Sequence, residues 1–318
     1  MRLIGYKSGS RQLIGVCSGT WVIPLADIDM FYADIPEYLN VATNYLNTID
    51  STATDRTLYS ANTNKNQGSS NTANESDIVS QNGSDNPEPT TISINNAIYV
   101  PPVPATARIL CLGLNYLRHA EEQGDELPST PTVFARYHST LTGHLTEVPI
   151  PSGDNHFDWE GELAVIIGKP LKDATPEEAE AAILGYTCFN DLSSREYQFA
   201  TSQWTLGKNA DKSGPIGPTL VTADELGNPY LLKIETRVNG ITVQSGNTSD
   251  MFFRVPETLS YISRAMTLFP GDVLSTGTPE GVGFARQPPI YLKDGDSVEV
   301  EIEGIGILSN RIVIGARH

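Results

Sequence analysis

Two glutamates and an aspartate lie where carboxylates are costly unless something compensates their charge. Glu160 and Glu162 alternate at the start of the apolar run Leu163-Ala-Val-Ile-Ile167, so a β-strand places both on one face. Asp191 follows a second apolar segment, Tyr186-Thr-Cys-Phe-Asn190. Three carboxylates with water suit a hard divalent cation such as Mg²⁺, Mn²⁺ or Ca²⁺. The alternative is that each carboxylate is solvated, at an exposed strand end or as a helix N-cap.

A histidine and a glutamate form a second candidate pair. His119 and Glu122 are three residues apart, so they share one face of a helix. A carboxylate that accepts a hydrogen bond from a histidine fixes its tautomer and raises its basicity, which suits a general base near neutral pH. The alternative is a partly exposed helix histidine with a surface ion pair.

One lysine and one glycine-rich turn could bind an anion. Lys208 lies in Gln203-Trp-Thr-Leu-Gly-Lys-Asn-Ala-Asp211, and the turn is Gly277-Thr-Pro-Glu-Gly-Val-Gly283. The backbone N–H groups of such a turn, with the Thr278 hydroxyl, can hold a carboxylate or a phosphate. The turn lacks the GK[ST] ending of a P-loop and is not a clean Rossmann fingerprint, so an ordinary turn is the alternative.

The charge of the chain disfavours two classes of partner. The 318 residues include 21 basic and 38 acidic side chains, a net charge of −17. This net charge disfavours nucleic acids and anionic membranes as partners. A small anionic substrate remains compatible, because a bound cation can outweigh the net negative charge locally.

Cys17, Cys111 and Cys188 show no CxxC spacing and are predicted to be buried in a reducing compartment. With no signal sequence and no bilayer-length apolar run, we expect a soluble cytoplasmic protein.

The elements that position these side chains are predicted to be many short strands and a few helices. This combination indicates an α+β fold dominated by a closed or rolled sheet. Residues 1–100 are predicted to form a small accessory N-terminal domain, with a low-complexity segment at about 60–90, and residues 101–318 a catalytic domain. Helices are predicted over residues 35–45, 115–122, 175–185 and 256–266. Strands are predicted over residues 1–6, 12–18, 20–25, 91–94, 108–113, 156–168, 186–190, 297–302 and 306–313.

The helix over residues 175–185 has the strongest sequence signals. Thr175 is the predicted N-cap, Pro176 the first helical residue, and Glu178 completes a capping box. Gly185 is predicted to end the helix.

Taken together, these segments resemble the fumarylacetoacetate hydrolase family over roughly residues 108–313. The resemblance implies a mixed β-roll, barrel-like fold and a homodimer. The matching blocks are GLNYLRH (113–119), DWEGELAVIIG (158–168), GYTCFNDLSSR (185–195), GK (207–208), GPIGP (214–218), NTSDM (247–251) and PGDVLSTGTPEGVG (270–283).

The resemblance also assigns roles to individual residues. It implies Mg²⁺ or Mn²⁺ bound by Glu160, Glu162 and Asp191, with Ca²⁺ as an alternative, and it makes His119 and Glu122 a water-activating dyad. Positions that match contacts with the substrate or with its developing negative charge are Arg195, Gln198, Lys208, Gly277 and Thr278.

Family substrates are 2-oxo acids with a second carbonyl or carboxyl group. We therefore expect a metal-dependent hydrolase that cleaves a carbon–carbon bond of an acylpyruvate such as fumarylpyruvate. The alternatives are a decarboxylase or isomerase of a related diacid (oxaloacetate or 2-hydroxyhepta-2,4-diene-1,7-dioate), a catalytically silent binding protein, and an acidic Ca²⁺-binding module. One segment departs from the family: a Phe-x-Lys-Pro-like motif reads Phe134-Ala-Arg-Tyr-His-Ser139. Arg136 keeps the positive charge with a different geometry and set of donors, and the missing proline and the added His138 are predicted to reshape one wall of the pocket.

Overall fold

Strands dominate the computed structural model, which describes residues 1–50, 91–123 and 128–314. In chain order the strands are β1 (Arg2–Ser8), β2 (Arg11–Ser18), β3 (Trp21–Asp27), β4 (Ile92–Ser93), β5 (Ile98–Tyr99), β6 (Ile109–Gly113), β7 (Thr132–Arg136), β8 (Leu141–Thr142), β9 (Glu147–Ile150), β10 (Phe157–Asp158), β11 (Gly161–Ile167), β12 (Ile183–Asn190), β13 (Ser193–Ser194), β14 (Gly214–Thr222), β15 (Lys233–Val238), β16 (Ile241–Asn247), β17 (Val273–Ser275), β18 (Ser297–Ile302) and β19 (Gly306–Ile314). The α-helices are α1 (Ile28–Ala33), α2 (Ile35–Asp50), α3 (Leu117–Gln123), α4 (Pro176–Glu180), α5 (Arg195–Phe199), α6 (Thr205–Lys208), α7 (Ala223–Leu226) and α8 (Val255–Ala265), with 3₁₀ turns at Ile94–Asn96, His138–Thr140 and Thr248–Asp250.

Within the described residues, these strands form one large sheet, one smaller sheet and a two-stranded ribbon. The large sheet has the order β4-β3-β2-β1-β14-β12-β11-β17-β6-β7, with β5 beside β1 and β8 beside β14. The smaller sheet has the order β16-β15-β18-β19-β9, and β10 pairs with β13. Most pairs are antiparallel, whereas β17–β6, β8–β14 and β9–β19 are parallel. The mixed sheets confirm the predicted α+β class, and the predicted strands over 297–302 and 306–313 are present as the antiparallel pair β18–β19.

Strand β11 lies in the middle of the large sheet, between β12 and β17. Each of its residues is buried, as is typical of an apolar run in the middle of a sheet that is covered on both faces. Leu163, Val165 and Ile167 pack into one hydrophobic cluster, while Ala164 and Ile166 pack into another on the opposite face. Burial of each large aliphatic side chain stabilises the fold by about 1.5–3 kcal/mol, so the strand is held rigidly from both sides.

The N-terminal strands extend the same large sheet. β1 pairs with β14 through Leu3 and Leu220, and Phe31 of α1 and Ile35 of α2 pack into the core behind it. The three predicted N-terminal strands are confirmed, and the helix predicted over 35–45 continues to residue 50. The polar tract at 60–90 lies outside the described residues, and an independent domain over residues 1–100 stays a prediction. No helix in the described part of the chain is long and apolar enough to cross a membrane.

The helix predicted over residues 175–185 is much shorter in the structure. Thr175 and Glu178 form the predicted capping box, but α4 ends at residue 180 and the chain enters β12 at residue 183. Gly185 lies within that strand, where a Cβ atom would stand 2.2 Å from the carbonyl oxygen of Val221. Pairing of β12 with its neighbours therefore overrides the helix propensity of the preceding Glu/Ala run. The helix predicted over 256–266 is confirmed as α8.

Candidate active site

The three predicted carboxylates meet at one end of the β11–β12 pair. Because β11 and β12 are antiparallel, with Gly161 opposite Asn190, the start of one strand adjoins the end of the other. The backbone N–H of Asp191 donates to the carbonyl oxygen of Glu160 at 2.9 Å. Glu160, Glu162 and Asp191 are all buried, and one ligand atom from each lies within 4.8 Å of the others. We call these three residues the carboxylate triad.

Buried cations surround the triad. The ammonium of Lys208 lies 2.8 Å from Glu160 Oε2 and 2.7 Å from Asp191 Oδ2. Arg195 Nη1 lies 2.6 Å from Glu160 Oε1, and Arg136 forms an ion pair with Asp191. Burial alone would raise the pKa of Glu160, but Lys208 and Arg195 lower it to about 2. Glu160 is therefore ionised at neutral pH.

Glu162 has a different environment from the other two members of the triad. Its Oε2 accepts hydrogen bonds from the Ser275 hydroxyl and, at 3.0 Å, from the backbone N–H of Gly277. Burial and the neighbouring charges of Asp191 and Glu160 raise its pKa well above the usual value. The ionised form of Glu162 is therefore the least compensated of the three carboxylates, and a divalent cation bound by these hard oxygen atoms would stabilise it. The donor set fits such a cation.

A cavity of about 240 Å³ opens beside the triad. Arg195 and Gln198 lie on its wall, and Arg195 Nη1 donates to Gln198 Oε1 at 2.8 Å. Arg195 Nη2 is buried and has no hydrogen-bond partner among the described residues. A buried guanidinium N–H without an acceptor is costly, so this atom is suited to a substrate carboxylate. The lining residues are Leu112, Gly113, Leu114, His119, Phe134, Glu160, Glu162, Arg195, Gln198, Phe199, Trp204, Lys208 and Thr278.

The predicted histidine–glutamate pair lies on α3 at the edge of this cavity. His119 Nδ1 is 3.5 Å from Glu122 Oε2, and the backbone N–H of Gly281 lies 3.2 and 3.1 Å from the two carboxylate oxygens. Burial would raise the pKa of Glu122, but hydrogen bonds from His119 and Gly281 lower it. His119 is 6% exposed, so the alternative of a surface histidine is wrong.

The glycine-rich turn serves the protein's own groups. The Gly277 N–H is taken by Glu162, so it is not free for the substrate contact that the resemblance implies. The Thr278 hydroxyl donates to the carbonyl oxygen of Gly161 at 2.9 Å and accepts from Gln244 Nε2 at 2.8 Å. Thr278 still lines the cavity. The turn therefore holds the triad and β11 in place, in addition to forming part of the wall.

Asp158 is a site residue that the sequence did not reveal, since it reads as one more acid beside the two glutamates. Its Oδ2 accepts from Arg195 Nε at 2.9 Å and from the Phe284 N–H at 3.0 Å. Its Oδ1 accepts from the N–H groups of Gly283 at 2.7 Å and Trp159 at 2.8 Å. Burial raises the pKa of Asp158, although Arg195 opposes this effect. Asp158 thus fixes the guanidinium that faces the cavity.

Comparison with known proteins identifies the family. The model of the fumarylacetoacetate (FAA) hydrolase C-terminal domain matches residues 108–313. The chain belongs to the fumarylacetoacetate hydrolase family. It is therefore an enzyme of a superfamily that includes tautomerases, isomerases and hydrolases.

Three relatives show this range of reactions. The chain is 42% identical over 217 residues to a human mitochondrial oxaloacetate tautomerase, covering 68% of this chain and 69% of the relative. It is 36% identical to the 2-hydroxyhepta-2,4-diene-1,7-dioate isomerase of Mycobacterium marinum, with a TM-score of 0.63 over 72% of this chain and 82% of that one. It is 30% identical to the fumarylacetoacetate hydrolase of Exiguobacterium antarcticum, with a TM-score of 0.72 over 99% and 100% of the two chains. The last match shows that the family fold extends over the N-terminal strands.

Proposed function

We propose that this protein is a divalent-cation-dependent isomerase that interconverts the keto and enol forms of an oxaloacetate-type 2-oxo diacid. The observation that carries the proposal is a cavity of about 240 Å³ beside the carboxylate triad, with Arg195 on its wall and the Arg195 Nη2 without a hydrogen-bond partner among the described residues. This volume lies below the range of about 300–1,000 Å³ typical of drug-sized pockets, which favours a small diacid. The similarity to an oxaloacetate tautomerase supports isomerisation over the acylpyruvate hydrolysis expected from the sequence.

Charge complementarity explains how the cavity selects a diacid. Glu160, Glu162 and Asp191 would hold the cation, which supplies Lewis-acid stabilisation of negative charge on an enol oxygen. Arg195 Nη2 binds one substrate carboxylate through a charge-assisted hydrogen bond. Burial alone would lower the pKa of Lys208, but Asp191 and Glu160 raise it. Lys208 therefore remains protonated and stabilises the developing enolate charge.

The His119–Glu122 pair moves the proton. Tautomerisation transfers a proton between C3 and the 2-oxo oxygen and breaks no bond between heavy atoms. When His119 donates its Nδ1–H to Glu122, Nε2 is the basic nitrogen, and it removes the C3 proton. The ionised Glu122 then stabilises the imidazolium until the proton returns to the substrate. Phe134 and Trp204 line the cavity and exclude water, which strengthens each of these electrostatic contacts.

Hydrolysis of an acylpyruvate is the second candidate. It is favoured by the match over the full chain to a fumarylacetoacetate hydrolase. In that reaction His119 would remove a proton from water as the water attacks the distal carbonyl, the carbon–carbon bond would then break, and Lys208 would stabilise the departing enolate. The cation held by the triad would supply Lewis-acid stabilisation of the same charge. Decarboxylation of oxaloacetate also generates an enolate, so it belongs in the same test.

The proposal is tested by following the enol absorbance of oxaloacetate as it relaxes to equilibrium, with Mg²⁺ and then with EDTA. We expect catalysis that requires the cation and falls about 100-fold or more in His119→Ala, since general acid–base catalysis contributes about 10²–10⁴-fold. His144→Asn is the matched control, because His144 is also largely buried, accepts a hydrogen bond from Ser309, and does not line the described cavity. Its rate should equal that of the wild type.

Product analysis separates the rival reactions. The same enzyme samples are supplied with fumarylpyruvate and other acylpyruvates, and pyruvate and carbon dioxide are measured. Rapid release of pyruvate without tautomerisation of oxaloacetate would establish the hydrolase instead. Release of carbon dioxide from oxaloacetate would establish the decarboxylase.

A further inference from the structure

A second group of possible metal ligands lies outside the catalytic cavity, beside the β10–β13 ribbon. It consists of Asp154, His156 and Glu196, and one ligand atom from each lies within 4.8 Å of the others. His156 Nδ1 is 3.7 Å from Glu196 Oε2, and both side chains are exposed. None of the three lines the cavity beside the carboxylate triad.

Asp154 provides an independent sign that something binds here. The residue is only 7% exposed, and its Oδ1 accepts a hydrogen bond from the backbone N–H of His156 at 2.8 Å. Its Oδ2 is buried and has no hydrogen-bond partner within the part of the chain that the structure describes. A buried carboxylate oxygen without a donor costs about 1–3 kcal/mol or more, because it has lost water and gained no replacement. A cation would satisfy it.

We propose that Asp154, His156 and Glu196 form a second cation site that takes a transition metal such as Zn²⁺ in preference to Mg²⁺. Imidazole nitrogen and carboxylate oxygen are both Zn²⁺ ligands, and the imidazole disfavours Mg²⁺, which prefers oxygen ligands. The His156 ring packs edge-on against the Tyr291 ring, with centroids 4.7 Å apart, so its orientation is restricted. Water completes the coordination, because His156 and Glu196 face solvent.

The position of this site links it to the cavity. His156 lies just before β10, and Glu196 lies in the first turn of α5, next to Arg195. The backbone N–H of Arg195 donates to the carbonyl oxygen of His156 at 3.0 Å, and Phe157 pairs with Ser194. A cation that joins His156 to Glu196 therefore clamps the two strands that hold Arg195. Its binding should raise the thermal unfolding temperature of the full chain.

The test is calorimetric titration of the full-length protein with Zn²⁺ in the presence of Mg²⁺. We expect a Zn²⁺ site whose affinity falls about tenfold or more in His156→Ala, Glu196→Gln and Asp154→Asn, since loss of even an outer partner of a metal ligand costs about 10–100-fold. Asp154→Asn keeps an oxygen that can accept from the backbone N–H of His156, so it removes the negative charge and preserves that hydrogen bond. Glu177→Gln, which neutralises another exposed carboxylate, should bind Zn²⁺ like the wild type.

A variant of the triad separates this inference from the proposed function. Glu162→Gln should weaken cation binding at the catalytic cavity and leave the second Zn²⁺ site intact. If Zn²⁺ binds the wild type, His156→Ala and Asp154→Asn with equal affinity and stoichiometry, the second site does not exist. Anomalous diffraction from a Zn²⁺-soaked crystal gives the same answer directly: a peak between the three side chains supports the site, and its absence refutes it.

Discussion

Replacing Asp158 with asparagine tests whether Arg195 is held in place for the substrate. Asparagine keeps one oxygen for the N–H groups of Gly283 and Trp159, but its NH₂ group cannot accept from Arg195 Nε or the Phe284 N–H. Two hydrogen bonds to a charged group are lost, at about 1.5–3 kcal/mol each, so we expect the free energy of unfolding to fall by about 3–6 kcal/mol. Because Arg195 loses its anchor, substrate affinity should also fall about 10–100-fold, the equivalent of one charged hydrogen bond.

Asp272→Asn is the matched control for this variant. Asp272 is also a buried carboxylate that accepts from an arginine, Arg108, and from a backbone N–H, that of Phe269 at 2.8 Å. It does not line the described cavity. Urea unfolding should show a loss of stability in both variants, whereas KM for the diacid should rise only in Asp158→Asn. An unchanged KM in Asp158→Asn, at temperatures where it is folded, would refute the assignment of Arg195 to the substrate.

Three further predictions concern pH, packing and the cation. Burial lowers the pKa of His144 from 6.5 to about 4, so its contribution to stability is complete above pH 6.5 and is lost as pH falls. Between pH 7 and pH 5 the free energy of unfolding should fall by about 2 kcal/mol through this group. Urea unfolding at the two pH values should therefore show a smaller decrease in stability for His144→Asn than for the wild type. Gly185→Ala places a Cβ 2.2 Å from the Val221 oxygen and should cost about 1–3 kcal/mol or more in urea unfolding, while a wild-type midpoint would contradict the packing argument. Mg²⁺ at 100 times its Kd should raise the free energy of unfolding by about 2.7 kcal/mol, which thermal unfolding with Mg²⁺ and with EDTA will measure. An equal rise in Glu162→Gln would contradict binding of the cation by the carboxylate triad.

The proximity of Glu160 and Glu162 can be predicted from the sequence because that information is local. Alternation along the strand predicted over residues 156–168 places Glu160 and Glu162 together, although Glu160 lies just before β11 in the structure, and the apolar segment before Asp191 indicates a strand end. Only the antiparallel pairing of β11 with β12, which no short window of sequence contains, brings Asp191 to the glutamates. The contact between His119 and Glu122 could be predicted from the sequence for the same reason, since it lies within one helical turn.

The site residues that the sequence missed are those whose contacts are distant along the chain. Asp158 reads as one acid among several until Arg195, 37 positions away, is seen to pair with it. Ser275 donates to Glu162 across 113 positions. The error at residues 175–185 has a related cause, since the helix propensity of that segment is local but the pairing that ends α4 is not.

Arg136 shows how structure changes the interpretation of a departure from the family pattern. The sequence predicted that the missing proline and His138 reshape a wall of the pocket, yet none of Arg136, Tyr137 and His138 is among the described residues that line it. Arg136 lies behind the triad: it pairs with Asp191, donates to Ser213, and donates to the Leu192 carbonyl oxygen at 3.3 Å. A planar guanidinium can make these contacts together, whereas a lysine ammonium on the same backbone cannot.

Arg136→Lys should therefore alter cation binding and leave substrate size preference unchanged. With the orientation of Asp191 less firmly fixed, we expect divalent-cation affinity to fall about 10–100-fold, as is typical when a ligand loses its outer hydrogen-bond partner. The ratio of kcat/KM for short and long diacids at saturating cation should not change. Arg237→Lys, which alters a largely buried arginine paired with Glu299 in the smaller sheet, is the control. An altered preference for diacid length with unchanged cation affinity would mean that Arg136 acts on the pocket wall after all, through displacement of the Phe134 segment that precedes it.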